Sequence, residues 1–181
     1  MPIPRRHSRT ASLLVVVGLL TACSTAPDTQ RVGGVSVDVP GGWQTTTGDL
    51  PDGVVANGAW QSDADDSRNL QVLVACGEES ADELTIAAAS RARPPLVLVD
   101  LEEAVAVDLD GMDGARQTEL TFAAEGSDAP VARLAGLYAS GNGALVLVEL
   151  AAPTRGYDAA LADEVLGSVR VDADELAAAC A

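Results

Sequence analysis

The 181-residue sequence has no lysine, a single histidine at position 7, and so few aromatic side chains (3%) that two Trp, two Tyr and one Phe make up the set. Each absence narrows the chemistry. Without lysine there is no ammonium group for Schiff-base formation, and beyond His7 there is no imidazole for Ser-His-Asp or Cys-His nucleophilic catalysis or for His-ligated zinc or iron. A carboxylate-only mechanism of the glycosidase kind needs neither residue, and a carboxylate-dependent hydrolase remains the weakest of three functional readings. Long apolar runs are also missing: residues 11–20 (ASLLVVVGLL) fall short of the roughly 20 residues needed to cross a hydrocarbon core. No repeat of fixed period and no internal linker divides the chain.

The apolar stretch has a different meaning. Arg5, Arg6 and Arg9 precede it and Leu20-Thr21-Ala22-Cys23 closes it, the order of a positive n-region, an apolar h-region and a small-residue cleavage site. A Leu, two small residues and a Cys resemble the bacterial lipobox, which implies diacylglycerol transfer to the Cys23 sulfur, cleavage after Ala22 and acylation of the new amino group. The alternative is a plain secretory signal cut by coincidence before a Cys. A single acyl chain, at about 0.8 kcal/mol per buried CH₂, binds marginally, whereas two or more hold a protein lastingly. Residues 1–22 are thus expected to be a signal peptide, 23–31 a flexible tether of small and polar residues, and 32–181 a single domain. The expected location is the extracytoplasmic face of the cell membrane, reached through a lipid, palmitate included, on Cys23. About 150 residues suffice for one core.

Removal of residues 1–22 takes away three Arg and leaves eight against 27 acids, a net charge of −19. Such self-repulsion excludes nucleic acid as a partner and disfavours anionic lipid surfaces. No cofactor is expected. Asp63, Asp65 and Ser67 match the first spacings of a calcium loop, but Arg68 stands where Gly is required and Val74 where the bidentate Glu belongs, so SDADDSRN reads as a solvated turn with no metal.

Hydrophobic periodicity orders the domain. Val35-Ser36-Val37-Asp38-Val39 alternates as a half-buried strand, broken by Pro40-Gly41-Gly42; residues 54–61 and 70–76 give two more. Ser80-Ala81-Asp82-Glu83 is a capping box, opening a helix through Leu84, Ile86 and Ala87 to Arg91 that Pro94-Pro95 ends. Residues 105–109 and 115–122 flank the turn DGMDG as a hairpin, with Asp108, Asp110 and Asp113 as turn residues. A second hairpin joins 131–139 to 144–150 across SGNG. QVLVAC and ALVLVEL are apolar on both faces and belong in mid-sheet. Tyr157, Leu161 and Val165 recur as one stripe of a late helix, Val169 and Val171 follow in an extended segment, and DELAAAC closes the chain in a turn or two of helix. Strands dominated by hairpins plus helices mean an α+β domain with a mainly antiparallel central sheet flanked by helices.

Three stretches carry a resemblance across nearly all of residues 32–181: VSVDVPGGWQ with its Pro40-Gly41-Gly42-Trp43 turn, the helix after the third strand, and PTRGYDAALADEVLGSVRV, where Val169 replaces the usual Phe or Ile after Ser168. They resemble the Mog1/PsbP-like fold, an α/β/α sandwich found in actinobacterial envelope lipoproteins of the LpqN type. The resemblance implies no catalytic residues, hence no enzyme, and a protein-binding accessory or adaptor in the cell envelope whose partner is unspecified. The second reading is a carrier of a lipid or other small apolar ligand, which needs an enclosed apolar pocket. A monomer is expected.

Two side-chain expectations remain. Cys76 and Cys180 are the only thiols left once Cys23 carries lipid, and an even pair in an oxidising compartment normally joins, pinning DELAAAC to the sheet; the alternatives are two separate buried thiols or, more weakly, a redox pair. Trp43 is expected to seal the sheet edge behind the glycine turn, with an exposed binding anchor as the alternative.

Overall fold

The computed structural model describes residues 26–46, 50, 53–62, 67–91 and 95–181. The expected signal segment 1–22 and Cys23, together with Asp63 and Asp65 of the acidic loop, lie outside the described residues.

The alternation of β2 (Val35–Val39) buries Val35, Val37 and Val39 on one face. Its hairpin partner is β1 (Asp28–Val32), joined through Gly33 and Gly34, whose φ values of 50° and 86° suit a two-residue turn that L side chains rarely adopt. The expected tether therefore ends early, because residues 28–31 are strand. DTQRV shows no alternation since, as an edge strand, it buries only Val32. The Gly-Gly pair between Val32 and Val35 was the available signal. On the other side of β2 lies β11 (Arg170–Val171), completing a three-stranded sheet.

The larger sheet contains β3 (Gln44–Thr46), β4 (Val54–Gln61), β5 (Asn69–Cys76), β6 (Leu96–Leu101), β7 (Val105–Ala106), β8 (Gly114–Ala124), β9 (Pro130–Gly141) and β10 (Ala144–Pro153). Its order is β3-β4-β5-β10-β9-β8-β6, antiparallel throughout, with β7 also beside β8. The strands apolar on both faces, β5 and β10, are indeed central. Leu70, Val72 and Val74 of β5 and Val146, Val148 and Leu150 of β10 join the β2 valines in the main core; Leu145 turns to the opposite face, where it packs with Tyr138. The β9–β10 turn is Asn142-Gly143, both at positive φ.

Among the described residues three α-helices cover these layers. α1 (Ala81–Ala89) has the full capping box, with Ser80 N–H donating to Glu83 Oε2 at 2.7 Å and Glu83 N–H to Ser80 Oγ at 3.3 Å; it buries Leu84 and Ala88 against Tyr138 and Leu145 and leaves Ile86 exposed. It stops two residues short of Arg91. α2 (Ala159–Gly167) is capped by Asp158, which accepts from the N–H groups of Ala160 and Leu161, so Tyr157 precedes the helix and only Leu161 and Val165 of the expected stripe lie on it. α3 (Ala173–Ala179) is the closing DELAAAC segment, with Leu176 in the main core.

The 105–109 strand shrinks to two residues, and β6 was not foreseen at all. Among the described residues β6 pairs on one side only, and it shifts register between Leu98 and Asp100, which scrambles the alternation that a sequence reading depends on. The result is an α+β domain with a mainly antiparallel sheet, α1 on one face and the small sheet and α2 on the other.

Candidate functional site

The register of β8 with β9 sets Gln117 opposite Leu137, Glu119 opposite Ala135 and Thr121 opposite Arg133. Because residues two apart share a strand face, these six side chains form one strip. α2 supplies a wall through Ala159, Asp163 and Leu166, and the β7 edge supplies the other through Glu102, Glu103, Val105 and Val107. Between them runs a trough in two adjoining sections of about 270 Å³ and 470 Å³; the second ends among Asp108, Leu109, Asp110 and Arg170. A further hollow of about 570 Å³, bordered by Val99, Asp100, Asp128 and Thr154, lies beyond Arg133.

The centre of the trough is a linked set of side chains. Tyr157, placed by the tight turn Thr154–Gly156, donates its hydroxyl to Glu119 Oε2 at 2.5 Å. The Arg133 guanidinium pairs with Glu119 and stands 4.6 Å above the Tyr157 ring, an arrangement worth roughly 0.5–2 kcal/mol as a cation–π contact. Glu102 reaches the same guanidinium at 3.9 Å. The turn itself is fastened by Arg68, whose Nε donates to the Gly156 carbonyl at 2.7 Å. Burial first, and then the bond to Glu119, push the Tyr157 phenol well above its ordinary value, so it remains a neutral donor.

Chemically this is a poor glycosidase pair. Such a pair needs one carboxyl kept neutral in an apolar setting and another presented to substrate. Here Glu119 is engaged by Arg133 and Tyr157, while Glu102 is a largely exposed carboxylate leaning on the same cation. The trough is no enclosed apolar pocket either: its floor includes Val107, Ala135 and Leu137, but carboxylates of Glu102, Glu103, Asp108, Asp110 and Asp163 line its margins. Among the described residues no group of three or more His, Cys, Asp or Glu is placed to hold a metal ion. Glu119 and Arg133 did not stand out in the sequence, and Tyr157 was read there only as part of a helix stripe. The available signal was Gln117, Glu119 and Thr121, a polar face on a strand with neighbours on both sides.

On the opposite sheet face Tyr138 is fully buried and donates to Glu149 Oε1 at 3.1 Å, and Arg91 pairs with the same carboxylate. Burial is the main reason its phenol is also raised, with the Glu149 charge second.

The two expected partner cysteines meet. Cys76 at the end of β5 and Cys180 at the C-cap of α3 are disulfide-bonded, with Cα atoms 5.5 Å apart across a sequence separation of 104. The N-terminus of α3 is tied as well: Arg31 on β1 pairs with Asp172 at 2.9 Å and with Glu175. Trp43 follows a turn in which its N–H donates to the Pro40 carbonyl at 3.3 Å and Gly42 takes φ 84°; the half-buried indole packs on the main core, which favours the structural role.

No family sequence model matches the chain, and no curated protein matches it. Among solved structures it is similar to the solution structure of cyanobacterial PsbP (CyanoP) from Synechocystis sp. PCC 6803, at 18% identity and a TM-score of 0.62, over 86% of this chain and 100% of that one. The fold is PsbP-like.

Proposed function

We propose that the chain is a non-catalytic envelope lipoprotein of the LpqN type, acylated on Cys23, held at the extracytoplasmic face of the cell membrane, and acting as an accessory or adaptor that binds another protein. The observation that carries this reading is the trough: its central carboxylate, the partly buried Glu119, and its one tyrosine are both engaged with Arg133, and beyond His7 the chain holds no imidazole or ammonium group to do chemistry with. The PsbP-like fold and the Leu20–Cys23 motif support it. A carrier of apolar ligands has less support, because carboxylates rim the available cavity.

Two measurements test the reading. Cys23→Ser is expected to move the protein out of the detergent phase on partitioning, or to leave it uncleaved; unchanged partitioning would sink the anchor. Cross-linking of the lipidated protein in its own membrane is expected to give a discrete complex with one envelope protein. Recovery of the uncross-linked chain alone would count against an adaptor.

A further inference from the structure

The two ends of the larger sheet differ. At one end β3 offers three exposed polar residues, Gln44, Thr45 and Thr46. The other end is β6, six residues reading LVLVDL, with no described strand on its outer side. An open edge leaves alternate backbone N–H and C=O groups unpaired, and proteins usually guard such an edge with Lys, Pro or a very short strand. β6 contains neither residue, and what blunts it is the register shift after Leu98 and the charge of the exposed Asp100. Val99 and Leu101 on the strand and Val105 just beyond it are 41%, 44% and 62% exposed. The charged residues on and after this edge are Asp100, Glu102 and Glu103, all exposed acids, and Asp128 borders the adjoining hollow.

We infer that β6 is a docking edge for an extended, positively charged segment of a partner protein, which adds to the sheet as a further strand while its basic side chains meet Asp100, Glu102 and Glu103. Backbone pairing supplies the adhesion and the acids choose the sign of the partner. A second copy of this chain is the wrong occupant, because pairing β6 with itself would bring two sets of these acids together in a domain whose net charge is already −19. This inference deepens the adaptor reading above and rests on it.

The test uses the full chain in detergent with a short capped peptide of alternating valine and arginine. The peptide is expected to bind, to slow amide exchange over Leu96–Leu101, and to lose affinity as salt rises. The double variant Val99→Lys, Leu101→Lys is expected to weaken binding at least about tenfold. Because those residues are partly exposed, the thermal midpoint serves as the folding control; should it fall, Asp100→Asn with Glu103→Gln removes charge alone and is expected to weaken binding in the same direction. A valine–glutamate peptide is expected not to bind. Equal affinity for both peptides, protection elsewhere, or self-association with β6 protected in the absence of peptide would each overturn the proposal. A membrane cross-link to a partner that maps away from β6 sinks this inference but leaves the adaptor reading standing. Peptide protection at β6 with no envelope partner in the membrane keeps the docking edge and sinks the adaptor.

Discussion

Gly136 and Tyr138 stand two residues apart on the same face of β9, and a Cβ added to Gly136 would lie 2.5 Å from Tyr138 Cζ, with the hydroxyl nearer still. The ring lies over the glycine because nothing else leaves room for its hydroxyl to reach Glu149 on the neighbouring strand, where Gly136 is the cross-strand partner of Glu149. Gly136→Ala is therefore expected to destabilise the domain by roughly 1–3 kcal/mol through overpacking, read as a lower urea midpoint. The double variant with Tyr138→Leu should cost less than the sum of the two single changes. Strict additivity would show that the two sites do not touch.

Cys180→Ser opens the 104-residue link between α3 and β5. The chain-entropy model puts the loss at up to about 4.7 kcal/mol for a loop of this size. A urea midpoint that is lowered equally by Cys180→Ser and by reductant on the parent protein is the expected outcome. A midpoint insensitive to reductant would show that the bond adds nothing to stability.

Tyr138 and Tyr157 are the only tyrosines, and both phenols are raised, chiefly by burial. A group whose value is higher when folded contributes stability that is complete below its unfolded value, near 10 for tyrosine, and is lost as pH climbs towards the folded one. Phenolate absorbance near 295 nm should thus stay absent as pH passes about 10 and then appear together with unfolding. A smooth titration centred near 10 in the folded protein would contradict the burial of Tyr138 and the half-buried, Glu119-bound setting of Tyr157. Tyr157→Phe should leave Tyr138 silent.

Asp172 is depressed below its usual 3.8, first by the Glu175 N–H it accepts at the α3 N-terminus and then by Arg31. Glu83 is depressed for the same kind of reason, by the Ser80 N–H and hydroxyl. A depressed carboxylate contributes stability present above its unfolded value and lost as pH falls through the folded one. The domain should therefore weaken below about pH 4, and Asp172→Asn should flatten that acid limb. An acid limb unchanged in slope would mean that the N-cap charge is not coupled to folding.

The local sequence was enough wherever one segment carries its own constraint. The Val35–Val39 alternation, the Ser80–Glu83 box, the Asn142-Gly143 turn and the two-faced apolar strands β5 and β10 each specify an element or its place from within about ten residues. The Cys76–Cys180 bond was legible too, since parity and the expected oxidising compartment leave few choices for two thiols. Other features depend on what lies beside a segment. β1 is a strand only because β2 offers it an edge, and β6 only because β8 does; their own residues alternate poorly when one side meets solvent. The trough is further removed still, since Glu102, Glu119, Arg133 and Tyr157 come from four separated stretches. They meet because the β8–β9 register and the turn at Thr154–Gly156 bring them to one face. Pairing register is a property of two strands at once, so no single stretch of this chain could have announced it.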